Sequence, residues 1–120
     1  MKAVIYVAIG GAIGSVLRYL LSKVDWLNAT QWNTMAINLM GSFLVGLLFG
    51  YVTKNSSNNV LTYLLMIGFC GGFTTFSTFS LDNLKLLINQ EYLTVLLYSL
   101  SSVVGGILMV YLGYILTAKL

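Results

Sequence analysis

Histidine and proline are both absent from this chain of 120 residues, cysteine occurs once, and charged residues make up only 8% of it. Each shortage excludes something. Without histidine the usual general base and the commonest metal ligand are missing. Cys70 is alone, so no internal disulfide can form, and its place in an apolar run reads as a buried, inert thiol. The only carboxylates are Asp25, Asp82 and Glu91, all near the ends of apolar stretches, and no base accompanies the serines. Paired acid–base or nucleophilic catalysis is therefore not expected, and neither is an enzyme. The basic residues Lys2, Arg18, Lys23, Lys54, Lys85 and Lys119 are scattered and make no patch, which sets nucleic acid aside.

What remains is apolar. Hydrophobic residues are 58% of the chain, a composition suited to lipid rather than to water, where roughly a quarter of a domain's residues carry charge. A bilayer core of about 30 Å takes roughly 20 apolar helical residues. Four stretches meet that length, at about 3–21, 32–52, 60–88 and 92–118, joined by the polar connectors SKVDWLNATQ, TKNSSNN and NQE. Trp26, Trp32, Tyr51 and Tyr92 lie near span ends, where amphipathic rings favour the interface. The opening MKAVIYVAIGGAIG has Lys2 as its sole positive residue and no cleavage site, so it is expected to stay as the first span. The expected class is a single all-α domain over 1–120, a multi-pass protein of the cell membrane surrounded by lipid.

An even number of spans puts both termini on one side. That side carries Lys2, Lys54 and Lys119, and the other Arg18, Lys23 and Lys85. Charge therefore gives no preferred orientation. A chain that inserts both ways up can pair with an inverted copy of itself, and four short spans enclose little interior alone. The expectation is an antiparallel, dual-topology dimer.

The third span is too long for one straight helix. At 1.5 Å per residue its residues 60–88 would measure about 43 Å. Its centre reads GGFTTFSTFS, with paired glycines and a run of hydroxyls that make poor helix. With no proline in the chain, glycine is expected to supply a mid-membrane break. Backbone freed at that depth must be buried in protein or line a polar cavity, and its carbonyls are ready cation ligands.

Polar stripes mark the other spans. Thr34, Asn38 and Ser42 share a face of the second, which suits either helix–helix adhesion or pathway lining. Tyr98 and Ser102 make a weaker stripe on the fourth, followed four residues later by Gly106, with Ser99 and Ser101 alongside. In the first, Gly10 and Gly14 suit close helix approach, while Arg18 either snorkels to the interface or holds positive charge at a pore mouth. Phe73, Phe76 and Phe79 recur every third residue within the hydroxyl-rich stretch. Ring edges are positive and can approach a small anion.

GGAIGSVLRY at 10–19, INLMGSFLVG at 37–46 and GFCGGFTTFSTFS at 68–80 together resemble the signatures of the Fluc (CrcB) family of fluoride channels, over nearly the whole chain. The resemblance implies a passive fluoride channel that lowers cytoplasmic fluoride, built as an antiparallel dimer with two narrow pores. It implies that Asn38 donates amide hydrogens to fluoride and that Phe76 and Phe79 present ring edges. It implies hydroxyls from Ser77 and Thr78, a polar track through Tyr98 and Ser102, and Arg18 near a vestibule. It further implies that the carbonyls of Gly71 and Thr74, from both subunits, hold a structural sodium ion. The track is expected to carry a third hydroxyl where this chain has Gly106. Two other readings share the architecture. A small multidrug carrier would need a membrane-embedded carboxylate, which the first span lacks. A subunit that works only with a different partner chain would lack a pore of its own.

Overall fold

The computed structural model describes residues 1–24, 30–55 and 59–119, so Asp25 and Trp26 lie outside the described residues. Helix α1 is Lys2–Ser22 and α2 is Thr30–Lys54. The third span, Leu61–Ile88, opens with a π-helical stretch, Leu61–Cys70, that runs directly into a short helix, Gly71–Phe73. These two pieces together are α3. Helix α4 is Phe76–Ile88 and α5 is Tyr92–Lys119. The spans are long and apolar enough to cross a membrane. Helices α1, α2 and α5 outrun the purely apolar stretches by a residue or two, taking in Lys2, Lys54 and Lys119, since lysine is a good helix former. Lys54 and Lys119 lie in the last turns of α2 and α5, where a cation meets the negative end of the helix dipole.

Few side chains are buried, Ile37, Cys70, Phe73, Leu86 and Tyr98 being the apolar ones, while Ile9, Leu97, Leu100 and Leu108 face outward. An apolar exterior is what hydrocarbon surroundings require, since lipid offers nothing to a polar one. Association inside then relies on close backbone approach. Helix α1 packs on α3, and α2 on α5. A Cβ at Gly10 would strike the Leu64 carbonyl and one at Gly14 the Phe69 carbonyl, so only glycine lets α1 and α3 come this near.

The backbone leaves the helical region at Thr74 (φ −84°, ψ 156°) and Thr75 (φ −149°, ψ 122°). This differs from the expectation that glycine supplies the departure: Gly71 is helical at φ −63°, ψ −37°, and no described glycine has positive φ. Threonine succeeds because its hydroxyl satisfies what the helix ends leave open. Thr74 Oγ1 donates to Cys70 O at 2.8 Å, and Thr75 Oγ1 accepts from Thr78 N–H at 3.2 Å as the N-cap of α4. At Asn89–Glu91 the chain reverses, with Gln90 left-handed at φ 61° and Glu91 N–H donating to Leu86 O at 2.9 Å. That turn lays α5 back along α4, pairing Asn83 with Ser99 at 2.9 Å.

Candidate functional site

Asn38 projects from the middle of α2 onto the extended pair. Its Nδ2 donates to Thr75 O at 3.0 Å, and Thr75 N–H donates to its Oδ1 at 2.8 Å. The carboxamide thus stands in for a neighbouring peptide group and satisfies backbone that neither α3 nor α4 can serve. Gly41, one turn along, makes the approach possible, since a Cβ there would strike the Thr74 methyl. One Nδ2 hydrogen remains after the bond to Thr75 O.

Around this clasp lies a groove with a cavity volume of ≈ 320 Å³, lined by Asn38, Ser42, Thr74, Phe76, Phe79 and Ser102 among others. The rings of Phe76 and Phe79 stand 5.6 Å apart at 36°, and Phe79 reaches Tyr98 at 5.2 Å. Phe76 is 79% exposed. Gly71 also faces open space, with nothing within 4 Å of where a Cβ would stand. The donor that would ordinarily close a helical turn on Gly71 O, Thr75 N–H, is turned to Asn38 instead.

The other expected site residues are distributed differently. Thr75 Oγ1 donates to Thr78 Oγ1 at 3.1 Å and lies 3.2 Å from Ser77 Oγ, so both hydroxyls belong to the capping cluster, outside the groove lining. Ser102 is in the groove, and its buried hydroxyl has no hydrogen-bond partner. Tyr98 is fully buried, and its hydroxyl donates to Asp82 Oδ2 at 3.4 Å rather than opening onto the groove. Arg18 is neither a simple snorkelling cation nor remote from the extended pair. Its Nε donates to Gly72 O at 3.1 Å, joined there by Ser15 Oγ at 3.4 Å. Gly72 O is thereby occupied, between the carbonyls of Gly71 and Thr74. No group of three or more acidic, cysteine or histidine side chains that could hold a metal occurs among the described residues.

Sequence reasoning missed Asp82. It is 4% exposed, accepts from Thr34 Oγ1 at 2.8 Å as well as from Tyr98, and lies 3.9 Å from Lys85 Nζ. The signal was present: Asp82 precedes the end of its span at Ile88 by more than one helical turn. A carboxylate at such depth needs partners, and Thr34 shares a helix face with Asn38.

Residues 5–114 match the family described as CrcB-like protein, Camphor Resistance (CrcB). A protein of Phocaeicola vulgatus named fluoride-specific ion channel FluC is 43% identical over 116 residues, covering 94% of this chain and 96% of its own. The FluC proteins of Aquifex aeolicus and Flavobacterium psychrophilum are 44% and 40% identical, with full coverage of both chains in each case. Four apolar spans and end-to-end likeness to these proteins make the chain a multi-pass membrane protein, of the plasma membrane in bacteria. With a family match and relatives of this similarity along nearly its whole length, the chain belongs to the CrcB-like family.

Proposed function

We infer that this chain forms a passive, fluoride-selective channel, working as an antiparallel pair of identical subunits. The observation that carries the reading is the clasp of Asn38 on Thr75 at the edge of a groove lined by Phe76 and Phe79. The names of its relatives give the ion.

Fluoride is small and strongly hydrated, so shedding its water is costly unless donors replace the shell. The remaining Asn38 N–H, the ring edges of Phe76 and Phe79 and the Ser102 hydroxyl offer such donors without a cationic side chain in the groove lining. Neutral donors bind the ion firmly enough to admit it and loosely enough to release it. The larger chloride would be excluded by the space between the rings. Thr75, Ser77 and Thr78 would act on the pathway by fixing the start of α4, and with it the Phe76 ring. Tyr98, held by Asp82, would wall the Phe79 ring rather than donate to the ion. Arg18 would add positive potential near the mouth while tying down Gly72 O.

A second subunit is supported by what one chain leaves uncovered, namely the Phe76 ring and the backbone face at Gly71. An inverted copy would bring the two sets of carbonyls, Gly71 and Thr74, face to face. Those oxygens are hard, neutral donors of the kind sodium prefers, and the hydrogen bond normally made to Gly71 O is diverted, so the residues fit the ion. When bound, sodium would supply a fixed charge that holds the two mid-membrane breaks together.

The test is to express this chain alone, reconstitute it in liposomes and follow fluoride efflux with an ion-selective electrode, without a proton gradient. Efflux that is lost in Phe76→Ile supports the pathway. No efflux from folded wild-type protein would favour a subunit that requires a different partner chain.

A further inference from the structure

Several helix-borne hydroxyls among the described residues are committed to the backbone of their own helix. Ser80 Oγ donates to Phe76 O at 3.0 Å, Ser101 to Leu97 O at 2.6 Å, Thr53 to Phe49 O at 2.9 Å and Thr117 to Gly113 O at 3.2 Å. Bonding back one turn is the usual recourse of serine or threonine in a helix with no better partner. Ser42 departs from this. It sits within α2, lines the groove one turn beyond Asn38, and makes no hydrogen bond among the described residues. Across the groove on α5, the Ser102 hydroxyl is buried and equally unpartnered. One turn past Ser102 stands Gly106, which carries no side chain, and a Cβ built there would lie 3.7 Å from Ser42 Oγ.

Two free hydroxyls on facing helices in a largely apolar groove carry a desolvation cost that only a ligand or water can relieve. The space between them is the space that Gly106 leaves open. We propose that Ser42 is an ion-contacting residue, which pairs with Ser102 to donate hydrogen bonds to a small, dehydrated monovalent anion as it leaves Asn38. Ser42 supplies from α2 the hydroxyl that α5 lacks at Gly106. The step from Asn38 to Ser42 is one helical turn, about 6 Å along the axis, short enough for the ion to exchange an amide donor for hydroxyl donors without regaining its water. This proposal rests on the fluoride pathway inferred above.

The experiment measures fluoride efflux from liposomes for full-length wild type, Ser42→Ala, Gly106→Ser and the Ser42→Ala/Gly106→Ser double variant, with Ser101→Ala as a control. Loss of one charge-assisted hydrogen bond is expected to slow Ser42→Ala about tenfold. The double variant returns the hydroxyl from the opposite helix, where a serine Cβ makes ordinary contact, and is expected within about threefold of wild type. Ser101→Ala is expected at the wild-type rate. Wild-type efflux from Ser42→Ala, or a slow Ser42→Ala that Gly106→Ser does not recover, overturns the assignment. If Asn38→Asp and Phe76→Ile are impaired in the same assay, that failure is confined to Ser42. Undiminished efflux from all three overturns the pathway itself.

Discussion

Replacing Asn38 with aspartate changes one atom and almost no volume, so it separates chemistry from packing. Oδ1 still accepts from Thr75 N–H, the 2.8 Å bond, but the donor that reached Thr75 O at 3.0 Å becomes a carboxylate oxygen facing a carbonyl oxygen. Loss of a neutral hydrogen bond costs about 1 kcal/mol. The charge matters more. At about 4 Å and an effective dielectric near 20, two unit charges interact by about 4 kcal/mol. A fixed negative charge of that strength beside the ion's path would lower flux by roughly a thousandfold. The assay is fluoride efflux from liposomes at matched protein loading, with size-exclusion profiles showing that the variant remains assembled. Efflux within about threefold of wild type from well-assembled Asn38→Asp would refute the reasoning, because the charge would then lie too far from the ion to be felt.

Other outcomes follow from the packing. Gly14→Leu should abolish folded protein, since its Cβ alone would collide with the Phe69 backbone; a monodisperse size-exclusion peak would contradict this. Thr75→Ala removes the N-cap of α4 and should cost about 1 kcal/mol in thermal unfolding in detergent, with slower efflux as Phe76 loses its anchor. Thr34→Val deletes the 2.8 Å donor to buried Asp82 and should cost about 1.5–3 kcal/mol in the same melt, where an unchanged transition would mean the carboxylate finds another partner.

How much of this was legible in the sequence depended on the range of the interaction. The spans were readable because a bilayer imposes one length on every apolar run, and the terminal lysines moved their ends by only a residue or two. Asn38, Phe76, Phe79 and Ser102 line one groove, and it was the family resemblance rather than local propensity that singled them out in the sequence. The exact turning point was not legible. GGFTTFSTFS contains both glycine and threonine, and local propensity favours glycine as the weak link. What selects Thr74 and Thr75 is a side chain 37 residues away, Asn38, together with hydroxyl caps whose geometry appears only after folding. Asp82 was overlooked for a related reason. Its depth within the span was readable, but its partners Thr34 and Tyr98 come from α2 and α5, so what holds the carboxylate there appears only after folding. Ser42 looked like one more polar residue on a stripe until the absence of a back-bond and the gap at Gly106 set it apart.

The clasp of Asn38 on Thr75 also bears on the order in which the protein is made. During synthesis α2 enters the membrane first, carrying an amide with no partner in lipid, and the third span follows with an unpaired peptide unit of its own. Each would cost several kcal/mol alone in hydrocarbon, and each relieves the other on contact. The second and third spans therefore gain by settling together, as one insertion unit, and neither is at home in the bilayer until the other has arrived.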